Sequence, residues 1–193
     1  MSQSELLALV TQTLTRLSID HMITGSLASS LYGEPRATHD IDVVARFDQR
    51  HIEPLMAAFP PPRFYLSKES IRDALGAAGM FNLVDMDSGV KVDVWRLTSD
   101  AFDQARFERR RTELIDQHAM TFSSAEDIIL AKIAWAKLSG GSEKQLTDAI
   151  RVYETQGEKL DHAYLSQWIE RLDVDEQWQH LVREAQPLRD DES

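Results

Sequence analysis

The sequence contains no cysteine and is poor in positive charge. With no Cys among its 193 residues, disulfides and thiolate metal sites are excluded. The six histidines are scattered without ligand spacing, which argues against a zinc site. Lys and Arg total 21 against 32 Asp and Glu, a formal net charge of −11. This balance argues against broad, non-specific binding to nucleic acid, which depends on neutralising phosphates, but it leaves room for a local basic pocket.

Long apolar runs are also missing. No stretch approaches the length of a membrane span, and the N-terminus lacks a basic region followed by a hydrophobic one. We therefore expect no membrane partner and a cytoplasmic location. A chain of this length can bury a substantial core, either as one domain or as a domain with a helical appendage.

The most informative stretch lies near the N-terminus. It starts with the run His21–Thr24 and continues through the pair Gly25-Ser26, a short apolar-patterned segment and a Gly/Pro break. It ends in a β-rich run that contains Asp40 and Asp42. This order predicts strand, turn, helix, loop and strand. Because side chains alternate along a strand, the two aspartates are expected to share one face.

Two carboxylates on one exposed face repel each other, so a cation is expected to offset them. Paired hard oxygen ligands suit Mg²⁺, which shares its remaining positions with water and substrate phosphates. The preceding turn complements them, because Gly25 permits close backbone approach and the Ser26 hydroxyl can donate to a phosphate at a helix N-terminus. A D-x-D pair alone is common in surface strands, and a Gly-Ser pair is often only a turn with an N-cap. The combination in this order is more specific.

These residues resemble the signature of a known family. The pair Gly25-Ser26, followed after thirteen residues by Asp40-Ile41-Asp42, resembles the motif of the nucleotidyltransferase superfamily with the DNA polymerase β-like fold. A fuller string is most similar to small bacterial nucleotidyltransferases that include the AbiEii-type toxins: Gly33-x-Pro35-Arg36-x-Thr38-x-Asp40-Ile41-Asp42. The resemblance implies an α/β fold: a polymerase β-like core with a mixed sheet flanked by helices over residues 1–122, and a C-terminal helical bundle over residues 123–193.

The same resemblance points to a third acid. Two β-rich runs joined by a turn predict a hairpin over residues 80–97. Asp93 lies between two valines in its second strand, a poor place for a carboxylate without a partner. The resemblance assigns Asp93 the third carboxylate of the site. The alternatives are that Asp93 faces solvent or pairs with Lys91, or that Asp85, nearer the turn, is the third acid.

The resemblance also implies a mechanism. Asp40 and Asp42 would hold two Mg²⁺ ions together with the triphosphate of a nucleotide. Asp93 would complete the second metal site and help to deprotonate the attacking hydroxyl. A nucleoside monophosphate would pass from a nucleoside triphosphate to that hydroxyl, and pyrophosphate would leave.

Further candidate residues for nucleotide binding come from the loop and from a later helix. Arg36 could reach a phosphate, and Thr38 could hold the loop by a side-chain hydrogen bond, although both could serve only to stabilise that loop. By resemblance, Lys132 would contact the triphosphate as a point charge. Asp148 matches a second acidic position of the AbiEii-like group, whereas Gln145 departs from its pattern.

The segment after the hairpin is strongly charged, and the rest of the chain is predicted to be helical. A helix capped by Asp100 is predicted to carry basic residues at helical spacing, which either pair with Glu108 and Glu113 or form a surface for a polyanionic acceptor such as RNA. The basic residues are Arg106, Arg109, Arg110 and Arg111. Beyond residue 123, capping boxes and apolar residues at helical spacing predict four helices.

The sequence leaves the acceptor open between a hydroxyl on RNA, on a protein or on a small molecule. Membership of a toxin–antitoxin pair would favour RNA and imply an antitoxin partner. The competing hypotheses are a non-catalytic nucleotidyltransferase-like binding protein or antitoxin, and a nuclease-like activity on the same metal site. Retention of all three acids together with Gly25 and Ser26 favours catalysis.

Overall fold

The computed structural model describes residues 1–38, 40–76, 79–115 and 118–186. Its strands are β1 His21–Thr24, β2 Asp40–Ala45, β3 Phe64–Leu66, β4 Met80–Asp85, β5 Lys91–Arg96, β6 Arg111–Ile115 and β7 His118–Phe122. Its helices are α1 Gln3–Arg16, α2 Gly25–Tyr32, α3 Ile52–Ala58, α4 Lys68–Ala74, α5 Ala101–Glu108, α6 Ala125–Leu138, α7 Glu143–Gln156, α8 His162–Leu172 and α9 Asp175–Glu184, with short 3₁₀ helices at Gln49–His51 and Gly157–Lys159.

The strands of the described residues form one seven-stranded mixed sheet in the order β3-β4-β5-β2-β1-β7-β6. β2 is central, antiparallel to β1 and parallel to β5. β1 pairs in parallel with β7, and the remaining neighbours are antiparallel. The predicted α/β fold with a mixed sheet flanked by helices is confirmed.

The sequence patterns that predict these elements have the expected physical basis. In α1 the Ser2 hydroxyl accepts from the Glu5 N–H and the Glu5 carboxylate accepts from the Ser2 N–H, so the sequence Ser2-x-x-Glu5 forms a capping box. In β2 the side chains of Ile41 and Val43 are fully buried, whereas Asp40 is exposed. This alternation fixes the strand register, because a shift of one residue would bury the acids instead.

Strands β6 and β7 are not predicted by the sequence pattern. β6 carries Arg111, Thr112 and Glu113 and is mostly exposed at the edge of the sheet, so it lacks the apolar alternation of a half-buried strand. β6 is held in the sheet by backbone hydrogen bonds to β7, and the pattern of its side chains does not predict this pairing.

The chain divides into two compact units. One boundary between them falls within α2, and the other two follow residues 37 and 123. The first unit comprises residues 1–27 and the described residues of 38–123, and it contains the sheet. The second comprises residues 28–37 together with helices α6 to α9, in which α6 contacts the other three helices. Within the residues described, every helix is too short or too polar to cross a bilayer.

Candidate active site

The turn from β1 into α2 presses the backbone of Gly25 against a carboxylate. Gly25 has a φ of +64°, and a Cβ at this position would lie 2.9 Å from Asp42 Cγ and closer still to Oδ2. Both the conformation and the space therefore require glycine. Ser26, the next residue, is buried in the first turn of the helix. The predicted neighbourhood of the Gly-Ser turn and the D-x-D strand is thus present.

The parallel pairing of β2 with β5 brings the candidate acids to adjacent positions. Asp42 is the register partner of Asp93, and Asp40 is the register partner of Lys91. Because residues two apart on a strand share a face, all four of these side chains lie on one face of two neighbouring strands. Asp40 is exposed, Asp42 partly exposed and Asp93 buried.

Asp93 is held by two donors on this face. Lys91 Nζ lies 2.9 Å from Asp93 Oδ2, and Asn82 of β4, the register partner of Asp93, donates from Nδ2 to Oδ1. The hydrogen bond to Asp93 and the charges of Asp40 and Asp42 raise the pKa of Lys91 above its usual value. The pairing of Asp93 with Lys91, one of the alternatives left open by the sequence, is therefore present in the structure.

Two neighbours of the acids were not singled out by the sequence. Asn82 reads as an ordinary strand residue until the β4–β5 register places it opposite Asp93. Trp95 lies on the same face of β5, partly exposed, and its indole Nε1 donates to Asp42 Oδ1 at 3.3 Å. The alternation of Lys91, Asp93 and Trp95 along β5 was the signal that could have identified Trp95.

The donor set suits a hard divalent cation. Carboxylate oxygens of three aspartates are the ligands that Mg²⁺ prefers, and adjacent acids need positive charge nearby. Within the residues described, no three His, Cys, Asp or Glu side chains lie close enough together to form a metal site. The ammonium of Lys91 instead supplies positive charge beside Asp93.

Asp85, the rival third acid, has a different environment. It is fully buried at the end of β4, where it shares a face with the apolar residues Phe81 and Leu83 rather than with Asn82. The hydroxyl of Ser88 donates to it at 2.6 Å, and this bond holds the pKa of Asp85 below its usual value. Asp85 therefore lies on the face of β4 opposite to the one that meets Asp93.

Arg36 and Lys132 meet in the second unit, where both bind one carboxylate. Arg36 donates from Nε and Nη2 to the two oxygens of Asp148, each at 2.9 Å, and Lys132 Nζ donates to Oδ2 at 2.7 Å. Burial alone would raise the pKa of Asp148, but these hydrogen bonds and charges outweigh it and lower the pKa. Lys132 and Asp148 are both buried. Their assignment to nucleotide binding stays a prediction.

The remaining candidates have structural contacts. The backbone carbonyl of Thr38 accepts a hydrogen bond from Gln3 Nε2 at 2.8 Å, which ties the loop before β2 to α1. In the basic segment, Arg106 Nη2 pairs with Asp103 at 2.8 Å. Arg110 stacks over Phe107, with its Cζ 4.3 Å from the ring centroid. These contacts serve α5 itself and involve neither glutamate that the sequence suggested.

Comparisons with known proteins identify the fold. No protein-family model and no curated protein matches the sequence. An antigenic nucleotidyltransferase-like protein from Paracoccidioides brasiliensis is similar in structure, with a TM-score of 0.53 and 22% identity over 91% of each chain. The solution structure of the antibiotic-resistance factor ANT(2'')-Ia gives a TM-score of 0.59 at 14% identity, over 93% of this chain and 99% of that one. A crystal structure of ANT(2'')-Ia in complex with adenylyl-2''-tobramycin gives 0.58 at 15% identity, over 89% of this chain and 99% of that one.

These similarities define the class of fold. The chain has the nucleotidyltransferase fold, as the Gly-Ser and D-x-D motif predicts. At these levels of identity the likeness establishes architecture and leaves the activity to be argued from the residues. The narrower similarity to AbiEii-type toxins stays a prediction.

Proposed function

We propose that this protein is a Mg²⁺-dependent nucleotidyltransferase that moves a nucleoside monophosphate from a nucleoside triphosphate to a hydroxyl acceptor. The observation that carries the proposal is the juxtaposition of Asp42 and Asp93 on adjacent parallel strands, with the backbone of Gly25 packed against Asp42. A phosphate-binding turn and a set of acids at one place are what phosphoryl transfer requires. The fold of the neighbours supports the same activity.

The three acids would hold the metal. Asp40 and Asp42 would bind two Mg²⁺ ions, and Asp93 would complete the second position. Bound Mg²⁺ would neutralise charge on the entering and leaving oxygens. Asp93 would accept the proton of the acceptor hydroxyl.

The chain's own donors would orient the nucleotide. The backbone N–H groups at the start of α2 and the Ser26 hydroxyl would bind phosphate oxygens, which the positive end of the helix favours. We assign Thr38, in the loop before β2, to the same nucleotide as a further contact, whereas nucleotide binding by Arg36 and Lys132 stays a prediction. The acceptor oxygen would then form a bond to the α-phosphorus of the nucleotide. The bond between the α-phosphorus and the oxygen that bridges to the β-phosphate would break, and pyrophosphate would leave.

The acceptor is a hydroxyl on RNA, on a protein or on a small molecule. The compound in complex with ANT(2'')-Ia, adenylyl-2''-tobramycin, makes a small-molecule hydroxyl a concrete candidate here. A toxin of the AbiEii type acting in the cytoplasm would instead modify RNA and bind an antitoxin. The formal charge of −11 weighs against extended RNA contacts.

The proposal is tested by supplying each α-labelled nucleoside triphosphate with Mg²⁺ to the purified protein. The acceptors offered are total cellular RNA, cellular protein and an aminoglycoside such as tobramycin. Label in one acceptor class supports transfer and identifies the class. Shortened RNA without label would point to cleavage instead, and no label in any class together with unchanged RNA would contradict an enzyme.

Matched variants distinguish the proposed site from a contaminant. Asp42→Asn preserves shape but removes the carboxylate, and labelling is expected to vanish while the circular dichroism spectrum stays unchanged. Asp87→Asn changes an exposed aspartate in the turn between β4 and β5 and should label like wild type. Asp87 lies outside the acid face, the face of β2 and β5 that carries Asp40, Asp42 and Asp93. Persistent labelling by Asp42→Asn would remove the metal assignment.

A non-catalytic nucleotide-binding protein or antitoxin is the second candidate. Its support is the engagement of Asp93 by Lys91 and Asn82, which satisfies the carboxylate without a metal. Nucleotide binding by calorimetry without label transfer or hydrolysis would favour this candidate. Transfer to any acceptor would eliminate it.

A further inference from the structure

Lys91 occupies a distinctive position on the acid face of β2 and β5. It stands opposite Asp40 in the strand register and two residues before Asp93 on the same strand. Its ammonium lies 2.9 Å from Asp93 Oδ2, while the amide of Asn82 binds the other oxygen. Lys91 therefore covers one carboxylate oxygen of Asp93 and Asn82 covers the other.

The two partners of this ion pair differ in exposure. The side chain of Asp93 is 12% exposed, so it would be costly to leave without positive charge. The side chain of Lys91 is 41% exposed and is attached through a flexible four-carbon stem, so its head group can move into solvent. Of the two partners, the Lys91 ammonium is therefore the one that can leave the ion pair, while the Asp93 carboxylate stays in place.

We propose that Lys91 is a built-in counter-ion that a divalent metal must displace from Asp93, and that Lys91 thereby sets the metal affinity of the site. This inference rests on the proposed metal-binding role of the acid face. The ammonium of Lys91 offsets the negative charge of Asp93. A divalent ion supplies two charges where Lys91 supplies one, so the exchange is favourable only when the ion gains enough ligands.

Because the metal must displace Lys91, its binding is expected to be coupled to the binding of the nucleotide. A metal ion alone must compete with Lys91 for Asp93. A metal ion that arrives with a triphosphate brings further oxygen ligands and negative charge that can receive the released ammonium. The site is therefore expected to bind free metal weakly and to bind it more tightly when nucleotide is present.

The affinity is measured by titrating Mn²⁺ into wild type and Lys91→Gln in a calorimeter. The glutamine removes the charge but keeps a hydrogen-bond donor near Asp93, and Mn²⁺ should bind about tenfold more tightly because its competitor is gone. Lys91→Arg retains the charge and should bind like wild type or more weakly. Lys68→Gln removes the lysine that pairs with Glu53 and should leave the Mn²⁺ affinity unchanged.

A second measurement needs no variant and so survives a folding defect in Lys91→Gln. Wild-type protein is acetylated briefly with an amine-reactive reagent, with and without saturating Mn²⁺, and the modification at Lys91 is read by mass spectrometry. Displacement predicts increased labelling at Lys91 when Mn²⁺ is bound. Lys68, whose side chain is 34% exposed, is the internal reference and should not change.

The outcomes separate this inference from the proposed function. If Mn²⁺ binds and nucleotidyl transfer occurs, but Lys91→Gln binds no more tightly and Lys91 labelling does not rise, the counter-ion role is wrong and the function stands. If neither wild type nor Lys91→Gln binds Mn²⁺ with or without nucleotide, both the counter-ion role and the metal site fail. Tighter binding by Lys91→Gln together with metal-dependent labelling at Lys91 supports the inference.

Discussion

Asp93 in the first unit and Asp148 in the second are both buried carboxylates that pair with a lysine. The other charged groups around them have opposite signs. Asp93 shares its face with Asp40 and Asp42, and the ammonium of Lys91 pairs with it. Asp148 stands among cations, with a bidentate arginine on both oxygens and a lysine on one. Asp93 thus shares a strand face with two other acids, whereas Asp148 binds two cationic side chains.

This difference separates a site that attracts a cation from one that joins elements of the chain. Three aspartates on one strand face favour a nearby positive charge, and this is the reason that metal binding is proposed for the face of β2 and β5. The carboxylate of Asp148 is already satisfied by geometry that links residues 28–37 to α6 and α7. Asp148 is therefore expected to matter for stability and Asp93 for activity.

The sharpest separation comes from replacing Asp93. Asp93→Asn keeps the shape and the bond to Asn82 but removes one charge from the acid face. Nucleotidyl transfer should fall about a thousandfold, while the free energy of unfolding should change by less than about 1 kcal/mol. Label transfer and urea denaturation measure the two quantities. A variant that loses stability but keeps activity would make Asp93 a structural residue like Asp148.

Replacing Asp148 in the second unit is expected to affect stability. Asp148→Ala leaves Arg36 and Lys132 without their shared carboxylate, and we expect unfolding to become easier by about 3 kcal/mol. Urea denaturation measures the loss. Glu170→Ala, which removes an exposed acid from α8, should change stability by less than about 0.5 kcal/mol. Equal effects of the two substitutions would show that the Asp148 cluster contributes nothing.

Two glycines allow the close approach at the acid face to be separated from backbone strain. Gly25 and Gly89 both have positive φ, +64° and +71°, but a Cβ would meet Asp42 at Gly25 and nothing within 4 Å at Gly89. Gly89→Ala should cost about 1 kcal/mol in stability and leave transfer intact. Gly25→Ala should cost about 2 kcal/mol more and reduce transfer at least tenfold, because Asp42 must move. Activity assays and thermal unfolding of both variants test the difference, and identical behaviour would remove the close approach from the site.

The fold was largely predictable from the sequence, whereas the partners of the acids were not. The shared face of Asp40 and Asp42 follows from alternation along one strand, and the helices follow from apolar spacing and caps. The contact of Arg36 with Asp148 joins positions 112 residues apart, so no local pattern could indicate it. Asn82 meets Asp93 only through the β4–β5 register. Local periodicity does not contain such long-range pairings.

The smallest expected effect is a pH dependence of the Asp148 cluster. Because Arg36 and Lys132 lower its pKa in the folded protein, Asp148 binds a proton less readily when folded than when unfolded. Its contribution is complete above the unfolded pKa of about 3.9 and is lost as pH falls through the lower folded value. The stability advantage of wild type over Asp148→Asn should be constant from pH 7 to about pH 5 and shrink below about pH 4. Chemical denaturation at each pH measures it, and an advantage that shrinks above pH 6 would contradict this assignment.

The measurement that tests the central claim most directly is the stoichiometry of transfer. Wild-type protein, Mg²⁺ and an α-labelled nucleoside triphosphate are incubated with the acceptor that labels best, and incorporated label and released pyrophosphate are counted together. We predict one pyrophosphate for each nucleoside monophosphate transferred, and neither product with Asp42→Asn. Orthophosphate in place of pyrophosphate, or equal transfer by Asp42→Asn, would contradict nucleotidyl transfer at this acid face.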